Sequence, residues 1–201
     1  MRIIGQSSEE EMVLAFLKAE VDSAEYPGSI ERPLSMQGYT RAIIDNADLK
    51  NPRENRARVM CLSYHRGYKQ NRLLFKGFPD DVTWQRASLR PGELGKAKYL
   101  NLSTWIKGSG GPRLVSDGAA NFNKGLLPDS LRTKIRTIEA SLRAGQRLPE
   151  LILAGRGDAS ALVLVEGHSR ATAYALASAD LPDAIEVIVG LSPNMGNWHW
   201  H

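Results

Sequence analysis

Residues 161–165 read Ala-Leu-Val-Leu-Val, without one polar side chain, and the chain then passes through Glu166 and Gly167 straight into an Ala-rich segment. An apolar run this short, between turn signals, predicts a strand. The lack of alternation predicts a central strand covered on both faces. Its surroundings repeat the theme. Leu131, Ile135, Ile138 and Leu142 fall at spacings of a helix that Pro128 starts and Gly145 ends. Residues 150–154 and 185–189 predict two more strands, and Leu181-Pro182-Asp183 predicts a turn before the last. Helix, strand, strand, helix, strand in this order restricts the chain to an α/β (α+β) fold, a small mixed sheet flanked by helices.

Upstream, residues 82–89 alternate apolar and polar and predict a half-buried strand, and Pro91 opens a helix reaching toward Trp105. Residues 107–113, Lys-Gly-Ser-Gly-Gly-Pro-Arg, predict a loop. The first 80 residues predict helices. Ser7 with Glu10 forms a capping box, followed by Val13, Phe16, Leu17, Glu20 and Val21 at helical spacing, with Glu20 the one polar member of that face. Asn51-Pro52-Arg53-Glu54 starts a second helix running to about His65, with Val59, Leu62 and Tyr64 offered to a core and Gly67 closing it. Two regions result: a basic helical extension over 1–80 and a sheet domain over 81–201.

The single cysteine, Cys61, excludes an intrachain disulfide. With only four histidines beside it, it also excludes a Cys-rich zinc shell, and no metal ligand set is expected. No apolar run approaches the roughly 18 residues of a membrane span, so the expectation is a soluble cytoplasmic protein without membrane contact.

Glu166-Gly167-His168-Ser169-Arg170 carries the densest chemistry. A strand running into a helix leaves the free N–H groups of the first turn, and their partial positive charge, available to an anion. Gly167 lets backbone approach a phosphate. His168, Ser169 and Arg170 add a switchable donor, a hydroxyl and a fixed cation, and Glu166 is a proton acceptor or a partner for Mg²⁺. The structural alternative is a Ser169 cap, an Arg170 surface pair and a solvated Glu166.

The order of elements around this turn resembles the ParB N-terminal/sulfiredoxin-like superfamily. The resemblance rests on Gly145-Gln146-Arg147-Leu148-Pro149 before a strand, a hairpin, and a strand ending in acid-Gly-His-x-Arg before an Ala-rich helix, and it covers roughly residues 82–190. It implies a nucleotide site using ATP or another NTP, with Mg²⁺, for phosphoryl transfer or hydrolysis. Phosphates would lie on Gly167, His168, Ser169 and Arg170, and Glu166 and His168 would be the catalytic candidates. Sulfiredoxins place a reactive cysteine in the motif, where this chain has His168 and Ser169, so sulfinic-acid reduction is not expected. Only 31 residues follow Arg170, too few for the helix-turn-helix domain of partition ParB proteins.

The formal charge of +4 conceals a polarity. Residues 50–76 hold eight basic side chains and one acid, Glu54, with Tyr64, His65, Tyr68 and Phe75 among them. Cations interleaved with aromatics suit single-stranded nucleic acid. The alternative function is therefore DNA or RNA binding, or a nuclease-like accessory role, through Arg53, Arg56, Arg66, Lys69 and Arg72. A solvated helix face, or arginines lining the phosphate pocket from its other side, fits the same pattern. A non-catalytic partner-binding module is the third class. Trp198 and Trp200, too costly to expose, fold back or meet a second subunit in a homodimer.

Overall fold

The computed structural model describes residues 1–23, 25–178 and 184–201. The turn expected at Leu181-Pro182-Asp183 lies outside them. The chain begins with β1 (Arg2–Gln6) and α1 (Glu9–Glu20), followed by the short helices α2 (Glu31–Ser35) and α3 (Ala42–Asp45) and the longer α4 (Pro52–Arg66). Then come β2 (Thr83–Leu89), α5 (Pro91–Gly95), α6 (Ser103–Ser109), α7 (Val115–Ala120) and α8 (Asp129–Arg143). β3 (Leu151–Gly155), β4 (Leu162–Glu166), α9 (His168–Leu176) and β5 (Ile185–Leu191) complete the fold.

The strands form one mixed sheet of order β1-β2-β5-β3-β4 among the described residues. β3 and β5 run parallel, while the other neighbouring pairs are antiparallel. Apolar residues leave this sheet in both directions. Trp84, Ile152, Val163, Val165 and Ile188 pack with α1 and α4, through Phe16, Leu17 and Leu62. Leu89, Leu153, Leu164, Val187 and Val189 pack on the other side with Ile135 and Leu142 of α8 and Ala171 of α9. The uninterrupted apolar run of β4 follows from this: helices cover it from both sides. Among the described residues no helix is long and apolar enough to cross a membrane.

The capping chemistry holds with one shift. Ser8, not Ser7, caps α1 by accepting the Glu11 N–H, and the Ser7 hydroxyl donates to the Glu11 carboxylate. The Asn51 side chain accepts the N–H groups of Arg53 and Glu54, and Gly67 closes α4 at φ +81°. Four other expectations change. Residues 2–6, inside the stretch expected to be helical, form an edge strand on β2. The helix expected from Pro91 to Trp105 is two helices, because the Lys98 N–H and C=O bond Leu162 and Leu164 on the edge of β4 and hold the chain extended. The loop expected from residue 107 begins later, since α6 runs on to Ser109. Tyr64, expected in a core, is 49% exposed. At the C-terminal end Trp198 is buried, and the indole N–H groups of Trp198 and Trp200 donate to the carbonyls of Leu74 and Leu73.

Candidate functional site at the β4–α9 turn

Gly167 joins β4 to α9 in the left-handed region, φ +99° and ψ 24°. A Cβ here would lie 2.4 Å from Leu151 Cδ2, so both conformation and space call for glycine. No side chain caps α9, and the N–H groups of its first turn have no partner within the helix. Ser169, at the second helical position, is half-buried and provides no cap.

Arg170 turns back over this end. Its Nη2 contacts the Glu166 carboxylate and lies 3.4 Å from the Glu150 carbonyl oxygen. Both side chains are nearly buried, with 11% of Arg170 and 12% of Glu166 exposed. Burial pushes the Glu166 carboxyl above its ordinary range, and the Arg170 charge opposes that rise. Arg170 Nε is buried with no hydrogen-bond partner.

His168 is held from the opposite side. Its ring stacks 5.3 Å from Trp105, which itself stacks 4.5 Å from Tyr99. The Tyr99 hydroxyl meets Thr172 Oγ1 at 2.7 Å, and the Thr172 hydroxyl donates to the His168 carbonyl. The Leu100 N–H donates to His168 Nε2 at 3.4 Å, so the proton of the neutral ring sits on Nδ1. Burial, with the nearby positive charges of Arg170 and Arg66, holds the imidazole down at about 3. At neutral pH His168 is thus an uncharged acceptor that positions the turn.

The helical layer supplies a second charged group. Glu20, the last residue of α1, accepts from Arg66 at the end of α4, and its Oε2 lies 3.0 Å from His65 Nε2. The Arg66 guanidinium also sits 4.0 Å over the Tyr26 ring. Burial would raise the Glu20 carboxyl, but the His65 hydrogen bond and the Arg66 charge outweigh it and bring it to about 2. The charge of Glu20 acts on both Glu166 and His168, and that of Arg66 on His168. Glu20, His65 and Arg66 thus form a charged cluster in the helical layer whose field reaches the turn. Arg66 Nε, like Arg170 Nε, is buried without a partner.

Glu20 and His65 did not figure among the expected site residues. The available signal was Glu20 itself, an acid on the apolar stripe of α1. The five basic residues expected to form one nucleic-acid surface are instead divided. Arg66 belongs to the cluster just described. Lys69 pairs with Glu9 and Asp80 at 3.4 and 3.5 Å. Arg72 bonds the Gln70 side chain and the Ser63 carbonyl. Lys69 and Arg72 are exposed beyond α4, and of the three of these cations on α4 Arg53 and Arg56 are the exposed ones.

Two cavities, of about 190 and 320 Å³, lie elsewhere, along the 68–80 segment, and share Tyr68, Lys69, Pro79 and Asp80 as lining. Among the described residues no three His, Cys, Asp or Glu side chains are grouped to hold a metal. The one carboxylate at the turn, Glu166, is engaged by Arg170, so the donor set for Mg²⁺ is incomplete without phosphate oxygens. No family model matches the chain, and comparison with curated proteins and with solved structures finds no match.

Proposed function

We propose that the chain binds a nucleoside triphosphate by its phosphates at the start of α9. One observation carries this reading. Two buried guanidinium Nε atoms lack partners: that of Arg170, in the first turn of the uncapped α9, and that of Arg66, at the end of α4, whose charge reaches His168. Buried donors without partners cost free energy, and a phosphate oxygen would satisfy them together with the helix N–H groups. Arg170 would hold the phosphate in bidentate fashion, Arg66 would meet it from the helical layer, and Ser169 would add a hydroxyl. Drawing Arg170 toward phosphate would loosen its hold on Glu166. A carboxyl already raised by burial would then be a stronger proton acceptor for an attacking hydroxyl or water. Transfer or hydrolysis would depend on this positioning and charge compensation.

Calorimetric titration with ATP and with CTP, with and without Mg²⁺, tests the reading. A nucleotide at a hundred times its Kd stabilises the fold by about 2.7 kcal/mol, which a thermal melt also registers. Arg170→Ala is expected to abolish binding. Because that variant leaves Glu166 buried without its cation, Arg66→Ala provides a second test, with a weakened affinity expected. No binding by any nucleotide to the native chain, or an unchanged affinity in both variants, refutes the proposal.

A further inference from the structure

α4 carries a second, independent arrangement. Arg53, Arg56, Met60 and Tyr64 follow at spacings of three, four and four, which at about 100° per residue confines them to about 80° of the helix circumference. All four are exposed, Met60 by 39% and Tyr64 by 49%. Ala57, Cys61 and Leu62 turn into the core instead. Lys50, also exposed, precedes the stripe.

Three of the eight basic residues between 50 and 76 are paired with carboxylates of the chain, two of them within the fold and Lys69 at its surface. Arg58 is buried on Glu54, Arg66 pairs with Glu20, and Lys69 pairs with Glu9 and Asp80. Lys50, Arg53, Arg56 and Lys76 form no ion pair among the described residues. Glu54, the single acid of the stretch, is occupied by Asn51 and Arg58. Lys50, Arg53 and Arg56 moreover crowd the start of α4, the positive end of its dipole, where basic side chains are unfavourable for the helix. An external anion would offset that cost.

We propose that this face of α4 binds single-stranded nucleic acid. Phosphates would lie on Lys50, Arg53 and Arg56, and a base would stack on the Tyr64 ring beside Met60. From Arg53 to Tyr64 the stripe is about 16 Å long, room for a few nucleotides. A single strand is favoured over a duplex because an exposed ring needs an unpaired base face to stack on.

Fluorescence anisotropy with labelled oligo-dT and oligo-U of roughly twelve nucleotides tests this, with a duplex of equal length as competitor. Three phosphate contacts predict a slope of about −2 for log K against log salt, hence a roughly 15- to 20-fold loss between about 50 and 200 mM. Arg53→Glu with Arg56→Glu places acids where the helix dipole favours them, so the variant is expected to melt no lower than the native chain. Its binding is expected to fall at least tenfold and its slope to about −0.7. Tyr64→Ala is expected to weaken binding about tenfold without changing the slope. Lys124→Ala, which removes an exposed cation outside α4 and outside the β4–α9 turn, is expected to bind the oligonucleotide as the native chain does. No binding at 50 mM salt, binding indifferent to the double substitution, or a tighter duplex complex indifferent to Tyr64→Ala overturns the proposal.

Discussion

Acidification from pH 8 to pH 5 should weaken the fold through His168. The ring is half-buried, stacked on Trp105, and uses Nε2 to accept the Leu100 N–H. Protonation would turn that acceptor into a donor facing a donor, beside the charges of Arg170 and Arg66. The folded value of about 3 lies below the ordinary 6.5, so the neutral form is the one the fold prefers. The stabilising contribution is complete above pH 6.5 and is lost as pH falls from there toward 3. At pH 5 the unfolded chain binds the proton and the folded chain does not, which favours unfolding by about 2 kcal/mol. This figure is insensitive to the folded value so long as that value stays well below 5. Urea unfolding of the native chain and of His168→Gln at both pH values measures it. Gln can still accept the Leu100 N–H and does not titrate. Glu20, held low, and Glu166, raised, act in opposite senses, but both proteins retain them. The native chain is expected to lose about 2 kcal/mol more than the variant. Equal losses in the two proteins would refute the neutral imidazole.

Gly167→Ala is expected to cost about 2–4 kcal/mol, from a left-handed alanine and from displacement of the Leu151 side chain, as read by urea midpoints at constant m. A loss below about 1 kcal/mol would show that the turn relaxes easily. Cys61 is buried, donates to the Ile30 carbonyl, and has its thiol pushed up to about 12 by burial and by the charge of Glu31. It should resist a thiol reagent at pH 8 and react only after denaturant is added. Prompt labelling of the native protein would contradict its placement.

Much of the fold is legible in the chain because its elements announce themselves locally. α8 shows its 3.6-residue period, α4 its Asn-Pro-x-Glu start, and β4 its unbroken apolar run. The elements that escape are those that neighbours impose. Arg2–Gln6 has no alternation, and every residue of it is exposed, so only pairing with β2 makes it a strand. The chain around Lys98 has helical composition on both sides. It is extended because the open edge of β4 offers it backbone hydrogen bonds, a partner distant in sequence. Propensity yields to such partners wherever an edge would otherwise be left unpaired.

The site divides in the same way. Glu166, Gly167 and Arg170 are close in sequence, so their meeting at one strand–helix turn can be read directly. The structure nevertheless replaces the solvated Glu166 and the surface partner of Arg170 by a nearly buried pair of the two, four residues apart. The functions of the cations in α4 cannot, because a cation's role depends on which carboxylate reaches it. Arg53, Arg58 and Arg66 are equivalent in composition. Arg58 lies on the core side and meets Glu54 one turn earlier, so it is structural. Arg53 lies on the outer side at the helix start, where Glu54 is already taken, and stays free. Arg66 reaches the end of the helix just where α1 brings Glu20, and only this crossing of two helices carries its charge to His168. A basic stretch read as one surface thus separates into a scaffold, a free face and one member of a charged cluster in the helical layer, according to the angle at which each residue leaves the helix.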